Sequence, residues 1–162
     1  MKKLVVYYSF EGNTRFIAES IAEAIDADLL ELKPKDEMQT KGFMKFIWGG
    51  KQVFMKKAPE LEFFDKNPQD YDVLFIGTPV WAWSYAPALN TFFSTVKLEG
   101  KKIALFCCFM HTQGRTFVNM KKILMQSNEV LGEAGFVEPL KRDREGNAKR
   151  AKDWANEMIK RM

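Results

Sequence analysis

The chain has 162 residues, of which 46% are hydrophobic, 28% charged and 14% aromatic; this suits a single domain spanning 1–162 and excludes a disordered class on composition. The net charge is +4 and the sequence pI near 9.0. The longest apolar runs, such as Ile103 to Phe109, are far shorter than a bilayer-spanning helix, and Met1-Lys2-Lys3 is followed by no small-residue cleavage site, so no membrane span and a cytoplasmic location are expected.

Lys3 to Tyr8 is a short β-branched and aromatic run without strict alternation, which reads as a strand buried on both faces. After the loop Ser9 to Thr14, Ile17, Ile21, Ala24 and Ile25 recur at helical spacing. Further strands are expected at Asp28 to Leu32, Val73 to Gly77, Ile103 to Phe109 and Phe136 to Leu140. Helices are expected at Ala88 to Val96 behind Pro87, at Phe117 to Ala134 up to the glycines 132 and 135, and at Ala148 to Met162 after Gly146-Asn147. Alternating strands and helices imply right-handed crossovers and an α/β fold: a doubly wound, five-stranded parallel sheet between two helical layers.

Charge is unevenly spread. Lys33 to Lys57 holds seven lysines against Asp36 and Glu37, and Lys141 to Met162 holds eight basic against four acidic residues. Such runs read first as solvated helix faces. With no zinc finger, RNP-like strand or Arg-rich tract, no nucleic-acid partner is expected. Within Gly42 to Lys57, large apolar side chains alternate with lysines around Gly49-Gly50. That segment is expected to pack on the core as a kinked helix or two short ones, with a lid or a partner contact as the alternative.

Three loops follow strands and are expected at one sheet edge. In Ser9-Phe10-Glu11-Gly12-Asn13-Thr14, a buried strand meets a helix start, where free N–H groups and the positive dipole end suit an anion. Ser9, Asn13 and Thr14 add side-chain donors and Gly12 permits positive φ; plain N-capping is the alternative. The loop has no Lys or Arg, and the chain contains neither Gly-x-Gly-x-x-Gly nor a nucleoside-triphosphate loop. A neutral cradle suits a held monoester phosphate. The second loop, Gly77-Thr78-Pro79-Val80-Trp81-Ala82-Trp83-Ser84-Tyr85, sets flat aromatic faces where a planar heteroaromatic ring would lie; hydrophobic plugging of the sheet end is the alternative.

The third loop runs from Cys107 to Arg115. Arg115 stands seven residues after Cys108, which fails the Cys-x-x-x-x-x-Arg spacing of thiol phosphatases. The adjacent cysteines can form neither a loop-closing disulfide nor a Cys-x-x-Cys knuckle, and His111 is the only histidine, so no metal site is expected.

Ser9 to Thr14 resembles the flavodoxin phosphate loop, [Thr/Ser]-x-[Thr/Glu]-Gly-[Asn/Thr]-Thr, and Pro79-Val80-Trp81-Ala82-Trp83 resembles the loop that lays an aromatic against the flavin. The resemblance runs over nearly the whole chain. It implies the flavodoxin-like strand order 2-1-3-4-5 and FMN as cofactor, at the junction of the first and third strands. It also implies that Ser9, Phe10, Glu11, Gly12, Asn13 and Thr14 hold the phosphate. Thr78, Pro79, Val80, Trp81 and Trp83 would line the ribityl chain and ring, with Cys108, Phe109, Met110 and Gly114 on the ring's other side. The basic pI, the lack of glycine from Trp81 to Tyr85 and the aromatic, basic 42–57 segment depart from the family pattern.

The expected function is electron transfer through bound flavin, to a redox partner protein or a small-molecule acceptor, with no catalytic side chain. The alternatives are an FMN-dependent NAD(P)H:quinone-type oxidoreductase, which needs open space over one flavin face, often at a homodimer interface, that Gly42 to Lys57 with Trp81 could frame, and a flavin-free interaction module on the same fold.

Overall fold

The computed structural model describes residues 1–35 and 58–162; the reading of Gly42 to Lys57 lies outside the described residues. Among the described residues, six strands and four α-helices follow in chain order: β1 (Lys3–Tyr7), α1 (Asn13–Ile25), β2 (Asp28–Glu31), β3 (Val73–Trp81), β4 (Ser84–Tyr85), α2 (Ala88–Thr95), β5 (Lys102–Phe109), α3 (Thr116–Leu124), β6 (Glu129–Val137) and α4 (Arg144–Lys160). The sheet order is β2-β1-β3-β5-β6, with β4 paired only to β3. The five long strands are parallel. Numbered among themselves they give the expected order 2-1-3-4-5.

The continuous apolar strands are explained by burial on both faces. Along β1, Leu4 and Val6 face one core while Val5 and Tyr7 face the other; β3 divides in the same way, with Leu74 and Ile76 opposed to Val73 and Phe75. On the first face α2 and α3 contribute Leu89, Phe92, Phe117 and Met120. On the second, α1 and α4 contribute Ile17, Ile21, Ala151 and Met158. Among the described residues, no helix is long and apolar enough to cross a membrane.

Four expectations are corrected. The helix from Phe117 to Ala134 stops at Leu124, because Asn128 intervenes: its Nδ2 donates to Leu124 O (2.9 Å) and Leu98 O (3.0 Å), and its Oδ1 accepts from Lys101 N (3.0 Å). The chain then pairs with β5 as β6, which starts at Glu129 rather than Phe136. Gly132 admits Met158, whose Sδ would lie 2.6 Å from an added Cβ; the glycine serves close packing within a strand, not a helix end. The last helix begins at Arg144, four residues before Ala148. Asp143 caps it by accepting from Gly146 N at 3.1 Å, so Gly146-Asn147 lies in the first turn. Finally, the third strand runs past Gly77 to Trp81 and turns back through β4.

β6 is an edge strand, and α4 covers part of its open side. Arg150 donates to Gly135 O and Arg161 to Leu131 O (3.2 Å), which blunts the exposed carbonyl row against pairing with another chain.

Candidate functional site

The carboxyl ends of β1, β3 and β5 lie side by side, with Tyr7 opposite Gly77 and Pro79 opposite Cys108. The three loops singled out in the sequence therefore share one edge, at the point where strand order reverses.

In the first loop, Gly12 precedes α1 in a left-handed conformation (φ 92°, ψ −14°). Helix α1 has no side-chain cap and no acidic residue in its first turn. Among the described residues, no acceptor meets the backbone N–H of Glu11, Gly12, Asn13 or Thr14. The first internal bonds are Arg15 N to Ser9 Oγ (3.2 Å) and Phe16 N to Gly12 O (3.0 Å). A row of unfilled donors at the positive end of a 13-residue helix suits an anion.

The polar side chains divide by role. Ser9 Oγ and Asn13 Oδ1 act as acceptors within the protein, Asn13 from Leu140 N at 3.1 Å. Their donor hydrogens face no internal demand. Thr14 is buried, and its side chain is hydrogen-bonded to Cys108, so it can serve an anion chiefly through its backbone N–H. Phe10 packs edge-on against Trp81, with centroids 5.7 Å apart, while Glu11 is exposed.

The second loop is a two-residue hairpin. Val80 pairs with Tyr85 and Trp81 with Ser84, leaving Ala82 (φ 44°) and Trp83 (φ 62°) both left-handed at its tip. This is the primed turn that matches strand twist, built here from residues that ordinarily avoid positive φ. Trp81 is 6% exposed and meets Tyr8 edge-on at 5.5 Å; Trp83 is 63% exposed. The hairpin thus seats one indole below the edge and presents the other on it. Thr78 is buried, and its Oγ1 accepts from Ala86 N (3.0 Å) and donates to Pro79 O (2.8 Å). That hydroxyl shapes the loop from beneath. Pro79 and Val80 are half-buried.

The third loop is locked to the hairpin. Arg115 N donates to Trp83 O at 2.7 Å, and Gly114 (φ 54°) lies so close that an added Cβ would be 2.7 Å from Trp83 Cβ. Behind the hairpin, Asn119 Nδ2 donates to Ser84 Oγ at 2.9 Å. Met110 is exposed on the loop and Phe109 half-buried beneath it. Cys108 is buried in the core between the sheet and helices α1 and α4, on the phosphate-loop side, apart from Met110 and Gly114.

Burial raises the Cys108 thiol to about 12 despite the Thr14 hydrogen bond and the Arg150 charge, and it raises Cys107 further. Neither sulfur is a thiolate near neutrality. No group of His, Cys, Asp and Glu among the described residues could hold a metal ion.

Two supports had no local sequence signal. Leu140 braces the first loop, by its N–H on Asn13 and by Cδ1 at 3.4 Å from a Cβ added to Gly12, across 127 residues. Arg15 bonds Glu31 at 2.5 Å, joining α1 to β2. The Glu31 hydrogen bond and charge raise the guanidinium further above its ordinary value.

Comparison with known proteins is consistent with this geometry. No curated protein matches the chain significantly. Among solved structures, a flavoprotein from Lactobacillus acidophilus NCFM in complex with FMN is 27% identical, with TM-score 0.61 over 88% of this chain and 97% of its own. The two-electron reduced flavodoxin of Megasphaera elsdenii is 22% identical, with TM-score 0.61 over 94% and 97%. A Bacteroides uniformis ATCC 8492 protein reaches TM-score 0.73 at 19% identity, over 96% and 97%. These last two speak to the fold alone. The family model described as Flavodoxin matches residues 2–134; with the start of α1 and an aromatic hairpin meeting at the switch point of a 2-1-3-4-5 sheet, the chain belongs to the flavodoxin family.

Proposed function

We propose that this protein binds FMN at the β1/β3/β5 edge and transfers electrons through it to a redox partner, as a single domain in the cytoplasm. The observation that carries the reading is the row of four N–H groups without acceptors at the start of α1. A phosphate monoester satisfies them together and completes the helix terminus. Ser9 and Asn13 could add O–H and N–H donors, since their acceptor atoms already take bonds within the protein.

The ring end of the site is formed by the hairpin and the third loop. Trp83 offers an exposed indole face on a backbone pinned by Arg115 N and Gly114, which suits stacking on a planar heterocycle. Bound FMN supplies the redox chemistry. The protein binds the phosphate, orients the ring and limits water on the covered face. Free buried thiols at Cys107 and Cys108 accord with a reducing compartment.

The test is anaerobic reduction of the FMN-loaded protein, followed by mixing with a one-electron acceptor and with NADH plus a quinone. Stoichiometric electron delivery without steady-state NADH oxidation is the expected result. Sustained NADH turnover would instead make the protein a reductase.

A further inference from the structure

The partner-facing edge is distinctive in its charge. From Val73 to Asn128 the only carboxylate is Glu99, which pairs with Lys97 at 3.0 Å in the turn before β5, at the sheet end opposite the site. Everything that β3, β5 and their following loops bring to the carboxyl edge is therefore neutral or basic. Arg115 and Lys122 lie seven positions apart on one exposed face of α3 and its entry. Neither has a carboxylate partner among the described residues. Between them stands Val118, 45% exposed, and the loop that leads into α3 carries Met110, 41% exposed. Glu138, at the end of β6, is held by Lys141 (3.3 Å) and Arg142 (3.0 Å), and Glu11 belongs to the phosphate loop.

We infer that this face, an exposed Val118 flanked by Arg115 and Lys122 next to the Trp83 hairpin, docks a redox protein through an acidic face on that partner. The inference rests on the proposed FMN site and adds the chemistry of the partner. Small apolar contact at the centre excludes water, while unpaired cations at the rim steer an anionic partner and fix its register. An acidic flavodoxin surface would select the opposite partner charge. Here the sign is inverted next to the ring.

Charged one-electron oxidants read the sign directly. The FMN-loaded protein, fully reduced under anaerobic conditions, is mixed with ferricyanide or with hexaammineruthenium(III). Two metal centres each take one electron, and the proton leaves to solvent. Between about 10 mM and about 0.5 M salt, the ferricyanide rate is expected to fall severalfold while the hexaammineruthenium rate rises or stays flat. Charge reversal by Arg115→Glu with Lys122→Glu should flatten or invert both slopes in the protein that retains FMN by absorbance.

A ferricyanide rate that rises with salt in the unmodified protein overturns the inference, whether or not the double variant folds. Unchanged slopes in a folded, FMN-loaded double variant also overturn it, because the field then comes from elsewhere. A dimer in sedimentation that the double variant dissolves would assign the face to a second copy, likewise against it. Failure to take up FMN at all refutes the cofactor site itself, and absorbance reports that before any rate is measured.

Discussion

Replacing Gly12 with alanine separates backbone conformation from steric fit in the phosphate loop. An alanine Cβ would lie 3.4 Å from Leu140 Cδ1, an ordinary contact, so crowding contributes little. The cost comes from φ 92°, which is unfavourable for an L-residue by about 1–2 kcal/mol. For a chain of this size, that corresponds to a fall in Tm of about 2–8 °C. Relaxing the strain means rotating the N–H groups of Gly12 and Asn13 away from the cradle. FMN affinity should then drop further than riboflavin affinity. Gly100 supplies the control: φ is 65° and nothing lies within 4 Å of an added Cβ, in the turn at the other end of the sheet. Gly100→Ala should lower Tm to a similar degree and leave FMN binding intact. Differential scanning calorimetry and flavin-fluorescence titration of both variants read the two effects. Equal losses of FMN affinity, or a Gly12→Ala protein with unchanged discrimination between FMN and riboflavin, would refute the reasoning.

The two tryptophans should respond differently. Trp83→Ala removes an exposed ring and should weaken FMN binding by about 1 kcal/mol, roughly fivefold, with little change in Tm; Trp81→Ala empties a buried site beneath Tyr8 and Phe10 and should destabilise the apoprotein by about 3–5 kcal/mol. Thermal melts and FMN titrations that gave the reverse pattern would exchange their roles. With Cys108 pushed up to about 12 and Cys107 higher, both thiols should resist a thiol reagent at pH 7–8 until the protein unfolds, and rapid labelling of the native state would contradict their placement. Tyr71 donates to Asp28 Oδ2 at 2.7 Å, and burial with that bond raises its phenol to about 12. Its contribution is fully present below the unfolded value near pH 10 and is lost as pH rises through about 12. Denaturant unfolding across that window should show a shallower decline for Tyr71→Phe; an identical slope would remove Tyr71 from the alkaline dependence.

Strands buried on both faces were legible because their apolar runs were short and rich in β-branched residues, as in Leu4-Val5-Val6 and Val73-Leu74-Phe75-Ile76. The edge strand β6 was misread because Glu129 to Gly135 mixes charge, glycine and apolar residues at spacings that a helix also satisfies. The contacts of Asn128 with Leu98 and Lys101 decide between them, and these are tertiary. The start of α4 was misplaced because Gly146 next to Asn147 looks like a breaker until Asp143 is seen to cap it. In the site, residue types singled out the Ser9 to Thr14 loop and the aromatic loop, and the parallel pairing of β1 with β3 brings the two to one edge. Side-chain direction was less accessible. Alternation along β3 buries Trp81, and a left-handed Trp83 then swings outward, whereas sequence reading had both rings lining the flavin. Likewise Thr78 and Cys108 fall at the right edge, yet each turns inward to hold the loop or the core.

The central claim is that the start of α1 holds a phosphate, and it is tested most directly by titrating the apoprotein with FMN and with riboflavin while following flavin fluorescence. Tight binding of FMN with riboflavin weaker by tenfold or more is the predicted result, since four N–H groups and two side-chain donors lose their common acceptor. Equal affinity for the two flavins would make Ser9 to Thr14 a helix terminus without an anion, and would contradict the account.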